Sequence, residues 1–293
     1  MSQQKSNNDR WKDYLLKSSL PLEQIVSEKL EQNGWHIWGE YSYFRPNEQN
    51  IDTEFSIDLS AAKSLEPIES DIDSNLNLLI ECKYNYPGTK WVFSSPPKED
   101  NVYYTGMYCL LDKLSHKLIR YTEVGQSCSR GIVLTNTGSD PNSITHGLNQ
   151  LRYGMPSLIC EATSYSYTEN PPSFFLSLLL VTNAELYVLK PRQSLETYQA
   201  AQTLEDVAER VNALIVSQDM GPHLREHCQR LFDSLFQNHE NKPTDDVPSK
   251  DSLIPDSTDV IVVYFDALEE IANMLLRKAR SELHSYLSSR RKT

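Results

Sequence analysis

A carboxylate and a lysine stand two residues apart where a strongly apolar run ends, in the sequence Leu79-Ile80-Glu81-Cys82-Lys83. On an extended strand, residues i and i+2 share a face, so Glu81 and Lys83 project together and Cys82 projects to the other side. Charges at the end of an apolar strand are costly unless they meet a partner or a metal ion. The pair is therefore either part of a chemical site or a solvated cross-strand ion pair.

A second carboxylate, Asp58, belongs to a segment of alternating polarity at residues 53–61. The alternation predicts a strand with Asp58 on one face and three apolar residues, Phe55, Ile57 and Leu59, on the other. If this strand pairs with the one that carries Glu81, the two carboxylates converge on one point.

The chemistry available to these residues is that of a hard metal ion. The carboxylates of Asp58 and Glu81 and the carbonyl oxygen of Cys82 form the oxygen site that Mg²⁺ or Mn²⁺ prefers. Lys83 beside such a site could orient or deprotonate a water, or stabilise charge developing on a phosphate.

A helix is predicted ahead of these strands. Ser19-Leu20-Pro21 is a start signal with proline in the first turn, and Asn33-Gly34 is an end signal. Between them lie apolar residues at helical spacing: Leu22, Ile25, Val26 and Leu30. At about 100° per residue, Glu23 falls on the border of this apolar stripe and Glu28 falls well outside it. Glu23 is therefore the better candidate for a carboxylate that reaches the sheet.

Helices and strands alternate along the rest of the chain, which predicts an α/β layered fold. The predicted strands span residues 35–44, 53–61, 76–84, 131–135, 174–181, 186–189 and 260–265. The further predicted helices span residues 141–153, 204–236 with a break at Gly221-Pro222, and 268–291. Residues 102–118 fit either a helix or a bent strand. The predicted organisation is a flexible N-terminus (1–18), a core domain (19–192), a helical extension (193–237), a flexible linker (238–259), and a strand and helix (260–293) that pack on the core.

The set of candidate residues resembles the PD-(D/E)XK nuclease superfamily, which has the restriction-endonuclease-like fold. Asp58 followed by Glu81-Cys82-Lys83 matches the motif of that family, with Ile57 in the position where the family often has proline. Glu23, eleven residues before Gly34, is similar to the glutamate of the first helix in the resolvase-like and Mrr-like branches. Asn149-Gln150-Leu151-Arg152-Tyr153 is similar to the glutamine-bearing helix of many members, with one residue fewer between Gln150 and Tyr153 than in RecB-type nucleases. The resemblance covers residues 18–190.

This resemblance implies a three-layer sandwich with a central mixed β-sheet flanked by helices, and a Mg²⁺- or Mn²⁺-dependent endonuclease acting on DNA. Glu23, Asp58, Glu81 and the Cys82 carbonyl would hold the metal. Lys83 would act on the attacking water, and Gln150 would lie near the scissile phosphate or orient Lys83. A homodimer is plausible because cutting both strands requires two sites. The alternative is a catalytically silent member of the family that binds nucleic acid or a protein partner.

Composition excludes several other classes. The 293 residues carry 28 Lys and Arg against 40 Asp and Glu, a net charge of -12, so a polybasic coat for nucleic acid is ruled out. No apolar run is long enough for a membrane span, and no secretory signal is apparent, so a cytoplasmic protein is expected. The five cysteines lack the close spacing of a zinc ribbon and are interpreted as free thiols.

Three further segments allow alternative interpretations. The sequence His223-Leu224-Arg225-Glu226-His227 has the H-x-x-E-H spacing of a zinc protease but is interpreted as exposed surface at a helix start. Tyr86, Lys90 and Trp91 either contact nucleic acid or pack against the sheet. The basic residues near the C-terminus are either a local substrate contact or a solvated helix face; they are Arg277, Lys278, Arg280, Arg290, Arg291 and Lys292.

Overall fold

The computed structural model describes residues 10–47, 49, 51–65, 74–95, 107–110, 116–119, 124–135, 138–140, 142–165, 173–237 and 257–290. Most of the predicted linker and the last three residues of the chain lie outside these ranges. No helix among the described residues is long and apolar enough to cross a membrane.

Fourteen strands are present in the described part of the chain. They are β1 (His36–Pro46), β2 (Asp52–Ser64), β3 (Ser74–Lys83), β4 (Lys90–Ser94), β5 (Met107–Leu110), β6 (His116–Ile119), β7 (Gln126–Cys128), β8 (Arg130–Thr135), β9 (Gly138–Asp140), β10 (Ser173–Thr182), β11 (Glu185–Leu189), β12 (Ala208–Val211), β13 (Ala213–Asp219) and β14 (Ser257–Tyr264).

The helices are α1 (Arg10–Lys17), α2 (Leu20–Gln32), α3 (Asn142–Tyr165), α4 (Leu195–Ala200), α5 (Leu204–Val207), α6 (Pro222–Gln237) and α7 (Leu268–Arg290). A 3₁₀ turn at Phe265–Ala267 leads into α7. Gly34 follows α2 with a φ of 74°, a left-handed conformation that favours glycine and ends the helix where the sequence predicts.

The main sheet is mixed, with the order β1-β2-β3-β10-β14-β13-β7, and β5 and β6 extend from β10. Strands β1, β2 and β3 are antiparallel, whereas β3, β10 and β14 run parallel. A smaller sheet has the order β12-β11-β4-β8-β9. The strand that carries Glu81 is thus central in the main sheet, as its apolar sequence predicts.

Helices cover both faces of the main sheet, which gives a three-layer α/β sandwich. Apolar side chains of α2 and α7 form one core with one face of the sheet; they include Leu22, Val26, Leu30, Ile271 and Leu275, packed with Ile80 and Cys82. Apolar side chains of α3 and α6 form the other core, with Leu79, Leu178 and Leu180 of the sheet and with Trp91 and Phe93 of the smaller sheet. The predicted fold class, an α/β sandwich with a central mixed sheet flanked by helices, is confirmed.

The predicted helix at residues 204–236 is wrong over its first half. Residues 208–219 form β12 and β13, and β13 pairs with β14 in the main sheet. Leu214 packs in the α3 core, whereas Ile215 packs in the α2 core, so both faces of β13 are buried. A strand buried on both faces is a continuous apolar run, and its sequence does not show the alternation that distinguishes a strand from a helix. Residues 193–237 are therefore not a helical extension.

Other boundaries differ from the sequence prediction in smaller ways. Residues 10–17, expected to be flexible, form α1, although none of its side chains is buried. Helix α3 does not end near Tyr153 but continues past Pro156 to Tyr165. The ambiguous segment 102–118 contains two antiparallel strands, β5 and part of β6, among its described residues.

Candidate active site

An irregularity in β2 brings Asp58 to the end of β3. In the pairing of β1 with β2, Gly39 lies opposite Ser60 and Tyr41 lies opposite Ile57. Moving two residues along β1 therefore corresponds to moving three residues along β2. As a result Ile57 packs in the α3 core, whereas Leu59 packs in the α2 core. The prediction that these two residues share a face is therefore wrong, because a bulge reverses the alternation.

The carboxylate of Asp58 lies against the backbone of the next strand. Pairing between β2 and β3 is regular from Ser64 back to Leu59, which lies opposite Ile80. Asp58 is the next residue of β2 after Leu59 in this direction. Its Oδ2 accepts a hydrogen bond of 2.7 Å from the backbone N–H of Cys82 on β3. Asp58 therefore reaches the backbone next to Glu81, as convergence of the two strands requires.

Glu81, Lys83 and Gln150 form a connected polar chain on the α3 side of the sheet. The side chain of Glu81 is fully buried, and its Oε1 forms an ion pair with Lys83 Nζ. Lys83 Nζ also donates to Gln150 Oε1 at 3.2 Å, and Gln150 Nε2 donates to the backbone carbonyl of Ser56 at 3.1 Å. Gln150 is thus held by the strand that carries Asp58, and it holds Lys83 in turn.

One oxygen of this chain is left without a partner. Glu81 Oε2 is buried, and none of the described residues donates a hydrogen bond to it. Burial raises the pKa of Glu81 to about 7; Lys83 opposes this rise and the charge of Asp58 adds to it. A buried carboxylate oxygen without a donor is energetically costly, which is the condition that a bound cation would relieve.

Glu23 completes the group from the opposite side of the sheet. It is partly buried on α2, and burial, followed by the charge of Asp58, raises its pKa to about 7. Glu28 is exposed and accepts a hydrogen bond from Gln24 Nε2 at 3.0 Å. The rotation of α2 inferred from the sequence therefore holds for both glutamates. It holds even though Ile25 is 42% exposed and does not belong to the buried stripe.

A further carboxylate, Glu40 on β1, was not predicted as part of this group. Its charge raises the pKa values of Asp58 and Glu23, in each case after burial as the largest cause. Glu40 is exposed, so its sequence position gives no sign of proximity to a buried site. His146 on α3 was also missed: burial, and then the charge of Lys83, lower its pKa, while a hydrogen bond with Gln150 raises it.

The chain immediately after Lys83 is held by a ring of amide and hydroxyl groups. Thr182 Oγ1 and Asn85 Nδ2 both donate to the carbonyl oxygen of Lys83, at 2.9 and 3.0 Å. Asn85 and Asn183 exchange hydrogen bonds between backbone and side chain at 2.6 and 2.8 Å. These bonds fix the end of β3 on its neighbour β10, so that the Lys83 backbone is a rigid support for its side chain.

The start of α2 is tied to the same point. The backbone N–H of Tyr84 donates to Ser19 Oγ at 3.1 Å, just before α2 begins. Ser19 itself has a φ of 61°, an unfavourable conformation for a residue with a side chain. This contact sets the position of the turn of α2 that carries Glu23.

Close approach of α3 to the site depends on a glycine. A Cβ atom at position 147 would lie 2.7 Å from Leu180 Cδ1, 3.2 Å from Lys83 Cε and 3.6 Å from Glu81 Cγ. Gly147 therefore allows the helix to lie directly over the Glu81–Lys83 pair, and one turn later Gln150 reaches Lys83.

We expect Gly147→Ser to lower the free energy of unfolding by about 1–3 kcal/mol, because the added atoms force α3 away from the sheet. Gly221→Ser is the matched control, since nothing lies within 4 Å of a Cβ at that position; its effect should stay within about 0.5 kcal/mol. Urea unfolding of both variants measures the difference. Equal unfolding midpoints would show that the helix tolerates a larger residue over the site.

The donor set at this point fits a hard cation, although it is not a preformed cage. Among the residues that the structure describes, no group of three or more His, Cys, Asp or Glu side chains is placed to hold a metal ion. The available ligands are nevertheless all oxygens, and one of them, Glu81 Oε2, is buried and unpartnered. Oxygen ligands of this kind suit Mg²⁺ or Mn²⁺ rather than zinc.

The other segments considered from the sequence lie outside this group. Trp91 is fully buried in the α3 core, so it packs rather than stacking on a ligand. Lys90 forms an ion pair with Glu205 at 3.6 Å. On α7, Lys278 pairs with Glu282 at 2.8 Å, whereas Arg291 and Lys292 lie outside the described residues.

The H-x-x-E-H segment is not simply exposed surface. Its first histidine, His223, is exposed near the start of α6, but His227 is buried. His227 Nε2 lies 3.2 Å from the carbonyl oxygen of Tyr153 and donates to it. The two histidines therefore flank a concave part of the surface rather than forming a uniform polar face.

Comparison with known proteins adds no family to this description. Neither a scan against protein-family models nor searches of the curated proteins and of the solved structures found a match to this chain.

Proposed function

We propose that the chain is a Mg²⁺- or Mn²⁺-dependent nuclease that hydrolyses phosphodiester bonds in DNA. The observation that carries the proposal is the buried carboxylate of Glu81, with Lys83 on one oxygen and no donor on the other. Asp58 beside it and Gln150 on Lys83 supply the remaining residues of the motif that the sequence resembles.

Each residue has a role in this proposal that follows from its position. Asp58, Glu81 and the Cys82 carbonyl would hold the metal, with Glu23 as a further carboxylate from α2. A metal bound there would neutralise phosphate charge and make a bound water more acidic. Lys83 places a positive charge at the same point, where it would orient the attacking water. Gln150 fixes the direction of the Lys83 ammonium group through its 3.2 Å hydrogen bond.

The direct test is cleavage of plasmid DNA by the purified chain in Mg²⁺, in Mn²⁺ and in EDTA. We expect nicking in both metals and none in EDTA. Millimolar Mg²⁺ or Mn²⁺ should also raise the melting temperature, because an ion that binds only the folded protein stabilises it. Absence of cleavage, together with a melting temperature that neither ion changes, would rule out the proposed activity.

A catalytically silent protein of the same architecture is the second candidate. It is favoured by the finding that no cluster of three or more metal-binding side chains is formed among the described residues. Such a protein would bind DNA without cutting it. Binding of DNA without cleavage in Mg²⁺, in Mn²⁺ and in EDTA would select this alternative.

The choice between the two helix glutamates gives a separate prediction. We expect Glu23→Gln to slow cleavage at least tenfold, about 1.4 kcal/mol in activation free energy, because Glu23 lies within electrostatic range of Asp58 and would help to hold the metal. Glu28→Gln, an exposed position on the same helix, should change the rate by less than about twofold. Single-turnover rates at saturating Mg²⁺ measure both. A larger loss of rate in Glu28→Gln than in Glu23→Gln would mean that Glu28, and not Glu23, acts at the site.

A further inference from the structure

A concave site of about 400 Å³ lies on the α3 side of the protein, apart from the carboxylates described above. It is enclosed by the end of β1, the middle of α3 and the start of α6. The lining residues that matter chemically are Arg45, Tyr153, His223, Glu226, His227 and Arg230. In the described part of its lining, the site therefore combines two arginines and two histidines with one carboxylate.

Arg45 is held in this site by aromatic rings instead of by acidic partners. Its guanidinium carbon lies 4.1 Å from the centre of the Phe55 ring and 4.4 Å from that of Tyr153. Its Nε is buried, and no acceptor among the described residues is bonded to it. Within the described residues, Arg45 has no ion pair. The two rings orient the planar group while leaving its N–H donors for a ligand.

Arg230 adds a second positive charge to the site, whereas the carboxylates of Glu226 and Asp52 oppose it. Arg230, two residues beyond Cys228 on α6, is exposed and also lacks an ion pair among the described residues. Among the described lining residues Glu226 is the single carboxylate, and the charge of Asp52 acts on His227 from nearby. His227 is fixed by its contact with the Tyr153 carbonyl, so Tyr153 and α6 are held together at the wall of the site.

The site is close to the candidate active site and on the same face of the sheet. The charges of Arg45 and Lys83 both act on His146, so this histidine lies within electrostatic range of each. Arg45 lies opposite Thr53 in the β1–β2 ladder, and Asp58 is five residues further along β2. At about 3.3 Å per residue this separation is roughly 16 Å along the strand, a distance of a few nucleotides of a nucleic-acid chain.

We propose that this site binds a phosphate group of the nucleic-acid strand a few nucleotides from the bond placed at Glu81 and Lys83. Paired N–H donors of a guanidinium match phosphate oxygens, and arginine is the side chain best suited to this bidentate contact. The volume admits the phosphate with its attached sugar. The site would thereby set the position of the strand in a protein whose net charge of -12 otherwise repels DNA. This proposal rests on the proposed nuclease function.

Binding is tested first with inorganic phosphate, which does not depend on cleavage. We expect calorimetric titration to show binding by the wild-type protein, weakened at least fivefold in Arg230→Gln and in Arg45→Gln. Arg225→Gln is the matched control, an exposed arginine on α6 outside the lining, and should change the affinity by less than about twofold. Because Arg45→Gln removes two ring contacts and could fold poorly, Arg230→Gln is the decisive variant. Equal affinities of the Arg230→Gln and Arg225→Gln proteins would overturn the phosphate site.

A second measurement identifies the source of the phosphate. Short single-stranded DNA with and without a 5′-phosphate is bound in EDTA, and the affinities are compared by fluorescence anisotropy. If the wild-type protein prefers the 5′-phosphorylated strand and Arg230→Gln loses this preference, the site binds a terminal phosphate. Equal affinities that fall together in Arg230→Gln assign an internal phosphodiester. Affinities that Arg230→Gln leaves unchanged would contradict the proposal.

Cleavage kinetics separate the phosphate site from the proposed nuclease function. Arg230→Gln should raise KM at least fivefold while kcat changes by less than about twofold, because a remote phosphate contact strengthens binding without entering the chemistry. Cleavage that depends on Glu81 but has an unchanged KM in Arg230→Gln would remove the phosphate site and leave the nuclease. Phosphate binding that depends on Arg230, in a protein that does not cleave DNA, would support the phosphate site and remove the nuclease function.

Discussion

Lys83→Met and Glu81→Gln are each expected to lower the single-turnover cleavage rate by about 10³-fold or more, roughly 4 kcal/mol in activation free energy. Lys83 supplies the positive charge that pairs with the buried carboxylate, and Glu81 supplies a buried oxygen to which no described residue donates. Groups aimed at charge that develops during reaction typically contribute effects of this size. Both substitutions nearly preserve side-chain volume, so both variants should still fold and the loss should appear in the cleavage rate.

Matched controls are available in the smaller sheet. Arg210 Nη1 and Glu185 Oε1 form an ion pair at 3.2 Å between β12 and β11. Arg210→Met and Glu185→Gln remove a charge pair of the same kind and should leave the cleavage rate within about twofold. Circular dichroism and melting temperature verify that all four variants fold. Cleavage by Glu81→Gln at the wild-type rate would show that the chemistry takes place elsewhere.

The elements that carry the site were largely predictable because each has a strong local signal. The start and end signals of α2 and the apolar run of β3 specify their boundaries and one buried face. The pairing of β2 with β3 then brings Asp58 next to Glu81. What the alternation could not show is the bulge after Ile57, which arises from pairing with β1 and not from the residues of β2 alone. The location of Asp58 was therefore predicted, but the faces of its neighbours were not.

The residues that sequence reasoning missed act through long-range contacts. Gly147 matters because α3 crosses Leu180 and Lys83, which are remote from it in sequence. Arg45 belongs to the proposed phosphate site because its guanidinium lies over the ring of Tyr153, a residue remote from it in sequence. Tyr153 lies on α3, the helix that also carries Gln150. A glycine in a helical pattern, three residues before Gln150, was a signal of close packing that could have been used. No comparable signal marks Arg45 or Glu40.

The second large effect concerns stability and requires no substrate. Burial raises the pKa of Glu81 from an ordinary value of 4.5 to about 7. In the absence of divalent ions, between these values the folded protein keeps a proton on Glu81 that the unfolded chain has released. The native state therefore binds more protons, and stability falls as pH rises through this window. The full difference corresponds to at most about 3 kcal/mol. Glu23 adds a smaller part in the same direction, since it is more exposed and water screens its charge.

Glu81→Gln should remove this loss because glutamine stays neutral at every pH. In EDTA, we expect the variant and the wild-type protein to have similar unfolding free energies at pH 4.5, and the variant to be more stable by about 1–3 kcal/mol at pH 8. Glu28→Gln, with an exposed side chain, should follow the wild-type curve throughout. Urea unfolding at half-unit pH intervals measures all three proteins. Millimolar Mg²⁺ at pH 8 should then stabilise the wild-type protein and leave Glu81→Gln almost unchanged, because the ion needs the charged carboxylate. A Glu81→Gln protein that is less stable than wild type by the same amount at both pH values in EDTA would mean that this carboxylate is fully compensated by Lys83. In that case its buried oxygen would carry no excess free energy for a metal ion to relieve.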